Sequence, residues 1–195
     1  MVKAHQVRER WVVPAGLGEW ETGAMPMRNL IFVAFVEPVA EGSVFLRTEW
    51  PLHITLVRCD VGTADSADAA VRLASLVGPH AAAALGANLQ VGEEAGFGRN
   101  GSVPVSLVQP QPDLQALHEQ LATAVESSGG RILTPAHTRS GYRPHISHQH
   151  GRRLRPGETL VLDRIALVDM APDGDRTVRR ILRLWALPEN GAARR

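Results

Sequence analysis

Two histidines 92 residues apart are each followed, two positions later, by a hydroxyl-bearing residue, in His53-Ile54-Thr55 and His145-Ile146-Ser147. In a β-strand, residues i and i+2 project from the same face, so each tripeptide predicts an imidazole beside a hydroxyl. The isoleucine between them would face the opposite side, toward the core. A single tripeptide of this kind is more often structural, but two of them predict a paired site.

Such a pair suits displacement at a phosphorus atom. One group must take a proton from the nucleophile while another gives a proton to the leaving oxygen, and histidine, with a pKa of about 6.5, can do either near neutral pH. The hydroxyls of Thr55 and Ser147 can donate hydrogen bonds to the non-bridging oxygens, where charge must be held. We therefore predict that His53 and His145 form an acid/base pair for phosphodiester chemistry, without a metal or other cofactor.

Two residues just before the second tripeptide are predicted to bind substrate. Tyr142 could stack on a base if the chain bends at Pro144, although simple packing is the alternative. Arg143 lies two positions before His145, so its guanidinium could contact a phosphate. His118 falls on the polar side of a predicted helix and is expected at the surface.

The segment around the second tripeptide is rich in basic residues and in histidine. Five arginines occur there with no acidic residue between them, which favours either phosphate binding or a solvated loop: Arg139, Arg143, Arg152, Arg153 and Arg155. His148 and His150 share a face with each other but not with His145, and no carboxylate is near them in sequence. A metal site is therefore not expected.

Composition places these residues in one globular unit. The chain has 195 residues, of which 44% are hydrophobic and 21% charged, with a net charge of +1. It has no apolar run of about 20 residues and no leader-like N-terminus, so we expect a cytoplasmic location without a membrane partner. A monomer is also expected. The single cysteine, Cys59, cannot form an internal disulfide and is expected in the core.

Strands and helices can be placed around the two tripeptides. Alternating or continuous apolar runs predict strands near 29–36, 52–57, 87–91, 103–108, 159–168 and 177–187. Apolar residues at helical spacing predict helices over about 69–77, ended by Gly78-Pro79, and about 114–125, ended by Gly129-Gly130. This order suggests two related halves. Residues 1–27 are predicted to be an irregular arm, and residues 28–195 a single bilobal domain.

The quoted motifs resemble those of a known family. Arg28-Asn29-Leu30-Ile31-Phe32-Val33-Ala34, Pro51-Leu52-His53-Ile54-Thr55-Leu56 and Tyr142-Arg143-Pro144-His145-Ile146-Ser147 are similar to segments of the two-histidine phosphoesterase superfamily, in its 2′-5′ RNA ligase-like (LigT-like) and cyclic phosphodiesterase branch. The resemblance implies an α+β fold with two pseudo-symmetric, mainly antiparallel sheets flanking a central cleft and helices on the outside.

The resemblance also implies roles and substrates. His53 and His145 would be the general acid and base, and Thr55 and Ser147 would orient the phosphate, with serine in a place where threonine is common. The implied activities are 2′,3′-cyclic phosphate hydrolysis, 2′-5′ phosphodiester cleavage, or ATP-independent ligation of RNA ends. The alternative hypothesis is a module that binds RNA or a nucleotide without turnover, through the basic segment.

Overall fold

A computed structural model describes residues 27–62 and 66–188 of the chain. The predicted irregular arm therefore lies outside the described residues, except for Met27, which begins the first strand. No helix in the described ranges is both long and apolar enough to cross a membrane.

The described residues form a mainly antiparallel sheet covered by two helices. In chain order the elements are β1 (Met27–Phe35), β2 (Val44–Leu46), β3 (His53–Gly62), α1 (Ser66–Ala84), β4 (Asn88–Phe97), β5 (Val103–Val108), α2 (Pro112–Ser127), β6 (Arg131–Ile132), β7 (His145–Ser147), β8 (Thr159–Val161), β9 (Arg164–Asp169) and β10 (Val178–Ala186). The strands lie in the order β2-β10-β9-β1-β3-β7-β5-β4-β8, with β6 beside β3. The predicted α+β class is confirmed.

Two lobes meet at the middle of this sheet. The first lobe contains β1, β2, β3, β6, β9 and β10, and the second contains β4, β5, β7 and β8. The lobes are joined where Ile54 of β3 pairs with Ile146 of β7. The chain crosses between lobes, so each lobe takes strands from both halves of the sequence, and the suggested relation between the two halves stays a prediction.

Alternation along the central strands divides the core between two faces. Leu30, Phe32 and Ala34 of β1 pack on the helix side, together with Ile54 and Ile146. Ile31, Val33 and Phe35 face a smaller core on the other side. Because β1 is apolar on both faces, it reads as a continuous hydrophobic run rather than as an alternating strand.

The helices cover the face of the sheet opposite the histidine and hydroxyl side chains of the two tripeptides. Leu73 and Val77 of α1 and Leu117 and Leu121 of α2 are buried at helical spacing in the same core. The start of α2 is capped by the Gln111 side chain, which accepts a hydrogen bond from the Leu114 N–H at 2.8 Å. Each fully buried leucine contributes about 1.5–3 kcal/mol of transfer free energy.

Several predicted boundaries were wrong. The strands predicted to end near 57 and 91 continue to Gly62 and Phe97, and two further differences affect the fold. Helix α1 does not end at Gly78-Pro79 but continues to Ala84, because Ala81 and Ala84 are also buried in the core and their packing outweighs the lost Pro79 hydrogen bond. The predicted strand over 159–168 is two strands, of which β8 pairs with β4 and β9 pairs with β1. This break passes the chain from one lobe to the other.

Replacing Ile146 with alanine tests the joint between the lobes. Ile146 is 0% exposed, so Ile146→Ala should lower the free energy of unfolding by about 2–5 kcal/mol, through lost transfer energy and a cavity. Urea denaturation gives the value. Val71→Ala, at a position that is 63% exposed, is the control and should change it by less than about 0.5 kcal/mol. Equal effects of the two variants would contradict this placement of Ile146.

Candidate active site

The pairing of β3 with β7 arranges the two tripeptides crosswise. Ile54 is opposite Ile146 in an antiparallel register, so His53 stands opposite Ser147, and Thr55 stands opposite His145. Both isoleucines are buried on the helix side, which leaves these four side chains together on the other face. Each imidazole therefore has a hydroxyl from its own strand two residues away and another from the facing strand.

The same backbone contact orients both imidazoles. His53 Nδ1 lies 2.8 Å from the Pro51 carbonyl oxygen, and His145 Nδ1 lies 2.8 Å from the Arg143 carbonyl oxygen. A carbonyl oxygen can only accept, so Nδ1 carries a proton and donates it in each case. The Nε2 atom of each ring remains for exchange of a proton with a ligand.

Both imidazoles are biased toward the neutral form. Burial lowers the pKa of His53 from 6.5 to about 4; the Pro51 hydrogen bond and Glu37 oppose this shift, and the charge of His145 adds to it. The pKa of His145 is also lowered, chiefly by burial and then by Arg143 and His137, against the Arg143 carbonyl bond. A bound phosphate would counter these effects because its negative charge favours the protonated rings.

Aromatic side chains pack against both imidazoles and bury them. The Trp50 ring lies 4.5 Å from the His53 ring, between centroids, and Phe35 lies 5.9 Å from it. The Phe97 ring lies 4.5 Å from the His145 ring. Sequence analysis missed these rings as parts of the site. Trp50 could have been found, since it precedes Pro51 directly, but Phe97 comes from the distant β4–β5 hairpin.

Two adjoining cavities open on the paired strands. The larger, about 720 Å³, is lined by His53 and Ser147. The smaller, about 360 Å³, is lined by Thr55 and His145. Arg58 lines both, so the four predicted catalytic side chains line two neighbouring cavities, which together are called the cleft below.

Tyr142 lines the smaller cavity, but one face of its ring and its hydroxyl already contact other residues of the protein. Its ring stacks on His118, with centroids 3.9 Å apart and planes within 2°, and its hydroxyl donates to the Thr55 carbonyl oxygen at 3.2 Å. Burial raises the pKa of this hydroxyl. With one ring face covered by His118, a base could stack only on the other.

The expectation that His118 is a surface residue was wrong. It is 1% exposed, its Nδ1 donates to the Leu56 carbonyl oxygen at 2.8 Å, and its Nε2 accepts from the Arg139 N–H at 2.7 Å. Burial lowers its pKa. Both ring nitrogens serve neutral hydrogen bonds, so His118 acts as a support beneath Tyr142.

Arg143 stands at the mouth of the smaller cavity. Its guanidinium carbon lies 5.1 Å from the centre of the Phe97 ring, and the residue is exposed and lines the cavity beside His145. Its backbone carbonyl meanwhile orients His145. The predicted contact of its guanidinium with phosphate is compatible with this position and stays a prediction.

The basic segment is largely neutralised by ion pairs. Arg139 contacts Glu126 at 2.6 Å, Arg152 contacts Glu37 at 2.6 Å and Arg153 contacts Glu94 at 3.1 Å. These acidic partners come from other parts of the chain, so inspection of the segment alone could not reveal them. The structure favours the solvated-loop interpretation for these three arginines.

One of these pairs supports the first histidine. Glu37 accepts a hydrogen bond from the Leu52 N–H at 2.7 Å and binds Arg152, whose Nη2 donates to the Trp50 carbonyl oxygen at 3.0 Å. The segment after β7 is thereby fastened to the segment before β3. This contact holds the turn whose Pro51 carbonyl orients His53.

The other histidines near the second tripeptide have partners of their own. His148 Nε2 lies 3.0 Å from Ser106 Oγ, and His150 Nε2 lies 2.8 Å from the Thr48 carbonyl oxygen. In the two described ranges, no three histidine, cysteine, aspartate or glutamate side chains converge as a metal site would require.

This bilobal antiparallel fold, with two strand-borne histidines at its centre, is that of a two-histidine phosphoesterase. The sequence model of the 2′-5′ RNA ligase superfamily matches residues 34–181, so the chain belongs to that superfamily. The resemblance inferred from the motifs is confirmed, and membership supports an activity of the phosphodiesterase type. No curated protein matches the chain.

Solved structures show the same fold. A crystal structure described as a phosphoesterase is 18% identical over 84% of this chain and 100% of that chain, with a TM-score of 0.55. E. coli LigT complexed with 3′-AMP is 19% identical over 84% of this chain and 100% of that one, also at 0.55. E. coli LigT complexed with NADP+ is 18% identical over 83% and 98%, at 0.52.

An NMR pH titration tests the environment of the histidines. We expect the His53 midpoint near pH 4 and the His145 midpoint below 6.5 in the free protein. The pKa of His53 is lower in the folded than in the unfolded protein, so protonation of its ring favours unfolding. The contribution of His53 to the free energy of unfolding is therefore complete above pH 6.5 and is lost as the pH falls from 6.5 to about 4. His53→Gln should remove that part of the pH dependence of unfolding. A His53 midpoint at 6.5 or above would contradict the assignment.

Proposed function

We propose that the protein is a metal-independent phosphodiesterase that acts on RNA termini or nucleotides, by 2′,3′-cyclic phosphate hydrolysis or by 2′-5′ phosphodiester cleavage or ligation. The observation that carries the proposal is the crosswise pairing of His53 with Ser147 and of His145 with Thr55 along one cleft. Four groups then surround a space that a phosphate could occupy, with Nε2 of each histidine available for proton transfer.

Hydrolysis of a cyclic phosphate would use these groups in one concerted arrangement. A water oxygen attacks phosphorus while the Nε2 of one neutral histidine takes its proton, and the Nε2–H of the other, protonated histidine gives a proton to the leaving ribose oxygen. One phosphorus–oxygen bond forms and one breaks, which yields a phosphate monoester. The hydroxyls of Thr55 and Ser147 donate hydrogen bonds to the non-bridging oxygens.

The lowered pKa values fit this scheme when the substrate is included. Both histidines favour the neutral form in the free protein, which supplies a base without further change. The anionic phosphate then raises the pKa of both rings, so that one takes up the proton needed by the acid. The fixed Nδ1–H bonds keep each Nε2 directed to the same place while its proton is exchanged.

Removal of either histidine tests catalysis. With EDTA present, the wild type should hydrolyse a nucleoside 2′,3′-cyclic phosphate, and His53→Gln or His145→Gln should each lower kcat by at least about 100-fold, the usual scale for loss of an acid or base. His80→Gln, on α1 at the far face of the sheet, is the control and should behave as wild type. Chromatography of the monoester product gives the rates.

Other outcomes of this experiment separate the hypotheses. Wild-type turnover by both cleft variants would refute the assigned pair. Binding of the cyclic phosphate with no product from any variant would instead favour the module that binds without turnover. Activity that disappears in EDTA and returns with a divalent cation would contradict the metal-independent scheme.

The pH dependence of kcat/KM tests the same pair in another way. This ratio reports the free enzyme's acid and base, whose pKa values are about 4 for His53 and lowered from 6.5 for His145. We expect a bell-shaped profile with both limbs below pH 6.5, and a kcat profile displaced to higher pH by the bound anion. Initial rates measured across the pH range check both, and a kcat/KM maximum above pH 7 would contradict the expectation.

A further inference from the structure

The larger cavity carries an excess of positive charge from residues that are far apart in sequence. Its lining includes four arginines: Arg47, Arg58, Arg176 and Arg179. Arg47 follows β2, Arg58 lies in β3, and the other two flank the start of β10. The carboxylate that lines the cavity, Asp60, is already paired with Arg131 at 2.8 Å. The lining therefore holds unbalanced positive charge beside His53.

Several arginines outside this cavity are paired with carboxylates. Arg28 contacts Asp169, Arg164 contacts Asp163 and Arg180 contacts Asp173, each within 3 Å. Within residues 27–62 and 66–188, by contrast, none of the four cavity arginines forms a salt bridge. Arg58 donates only to the neutral Asn29 side chain, at 3.2 Å and 3.4 Å.

One of the four arginines, Arg179, is buried and held by backbone hydrogen bonds. The residue is 6% exposed, and its Nη1 donates to the carbonyl oxygens of Met170, Arg176 and Val178 at 2.7–3.0 Å. Its Nε is buried and has no hydrogen-bond partner among the described residues. Burial and the charges of Arg47 and Arg58 lower its pKa. Arg179 thus adds a positive charge to the lining at a position that the fold holds in place.

The two sides of the cleft also differ in chemistry. The smaller cavity contains the rings of Phe97 and Tyr142, which suit the apolar faces of a base and sugar, together with Arg58 and Arg143. The larger cavity has arginines and Trp50 beside His53. A substrate with its reacting phosphate between the histidines would thus meet aromatic rings with two arginines in the smaller cavity and four arginines in the larger one. Guanidinium groups bind phosphate through paired N–H donors.

We propose that the arginines of the larger cavity form a subsite for a second phosphate of the same substrate, adjacent to the reacting phosphate. This inference rests on the proposed function and narrows its substrate class to RNA ends or nucleotides that carry at least two phosphates. Arg47, Arg58 and Arg176 are exposed and meet the anion directly, while Arg179 contributes charge from behind them.

Binding of two related nucleotides tests the subsite without requiring turnover. Dissociation constants for 3′-AMP and adenosine 3′,5′-bisphosphate are measured by calorimetry at one fixed, low salt concentration. The wild type should bind the bisphosphate at least about tenfold more tightly, the effect of a modest charge-assisted contact. In the double variant Arg47→Gln/Arg176→Gln this ratio should fall below about threefold, and added salt should reduce it in the wild type.

Arg72→Gln is the matched control, because Arg72 lies on α1, on the other face of the sheet, and should keep the wild-type ratio. Circular dichroism checks that each variant folds. A wild-type ratio near one, or a ratio that the double variant retains, would overturn the subsite even if cyclic phosphates are hydrolysed. A tenfold ratio that the double variant abolishes, in a protein without turnover, would support the subsite and reject the proposed function.

Discussion

The pairing of Ile54 with Ile146 is the contact on which the arrangement of the site depends. It joins the two lobes and turns both isoleucines into the helix-side core. Antiparallel geometry then requires that each histidine face the hydroxyl residue of the other tripeptide. A shift of this register by one residue would move one tripeptide's polar side chains into the core. Core packing and site geometry are therefore secured by the same few residues.

The imidazoles combine a rigid orientation with a labile charge. Each Nδ1–H is held by the carbonyl oxygen two residues earlier, and each ring lies against an aromatic side chain. The carbonyl bond favours the protonated ring, whereas burial opposes it more strongly. The ionisation state of the pair therefore responds to the charge of whatever enters the cleft, without any large movement of the rings.

Charge along the chain and charge in space differ sharply in this protein. The segment around His145 holds five arginines with no acidic residue between them, yet three of them are paired with glutamates from distant elements. Four arginines that form no salt bridge among the described residues line the cavity beside His53 instead, drawn from β3 and from the ends of β2 and β10. Ion pairing, rather than the local count of basic residues, decides where an anion is attracted.

The amino-acid sequence alone determined the two tripeptides, the faces of their strands, the principal strands and the stripe of α2, because these follow from local periodicity. It also carried the resemblance that the superfamily match confirmed. The tertiary structure decided the continuation of α1 through Pro79, the burial of His118, the rings beside the histidines and the arginine-lined cavity. Each of these depends on contacts between residues far apart in the chain, and neither periodicity nor motif spacing specifies such contacts.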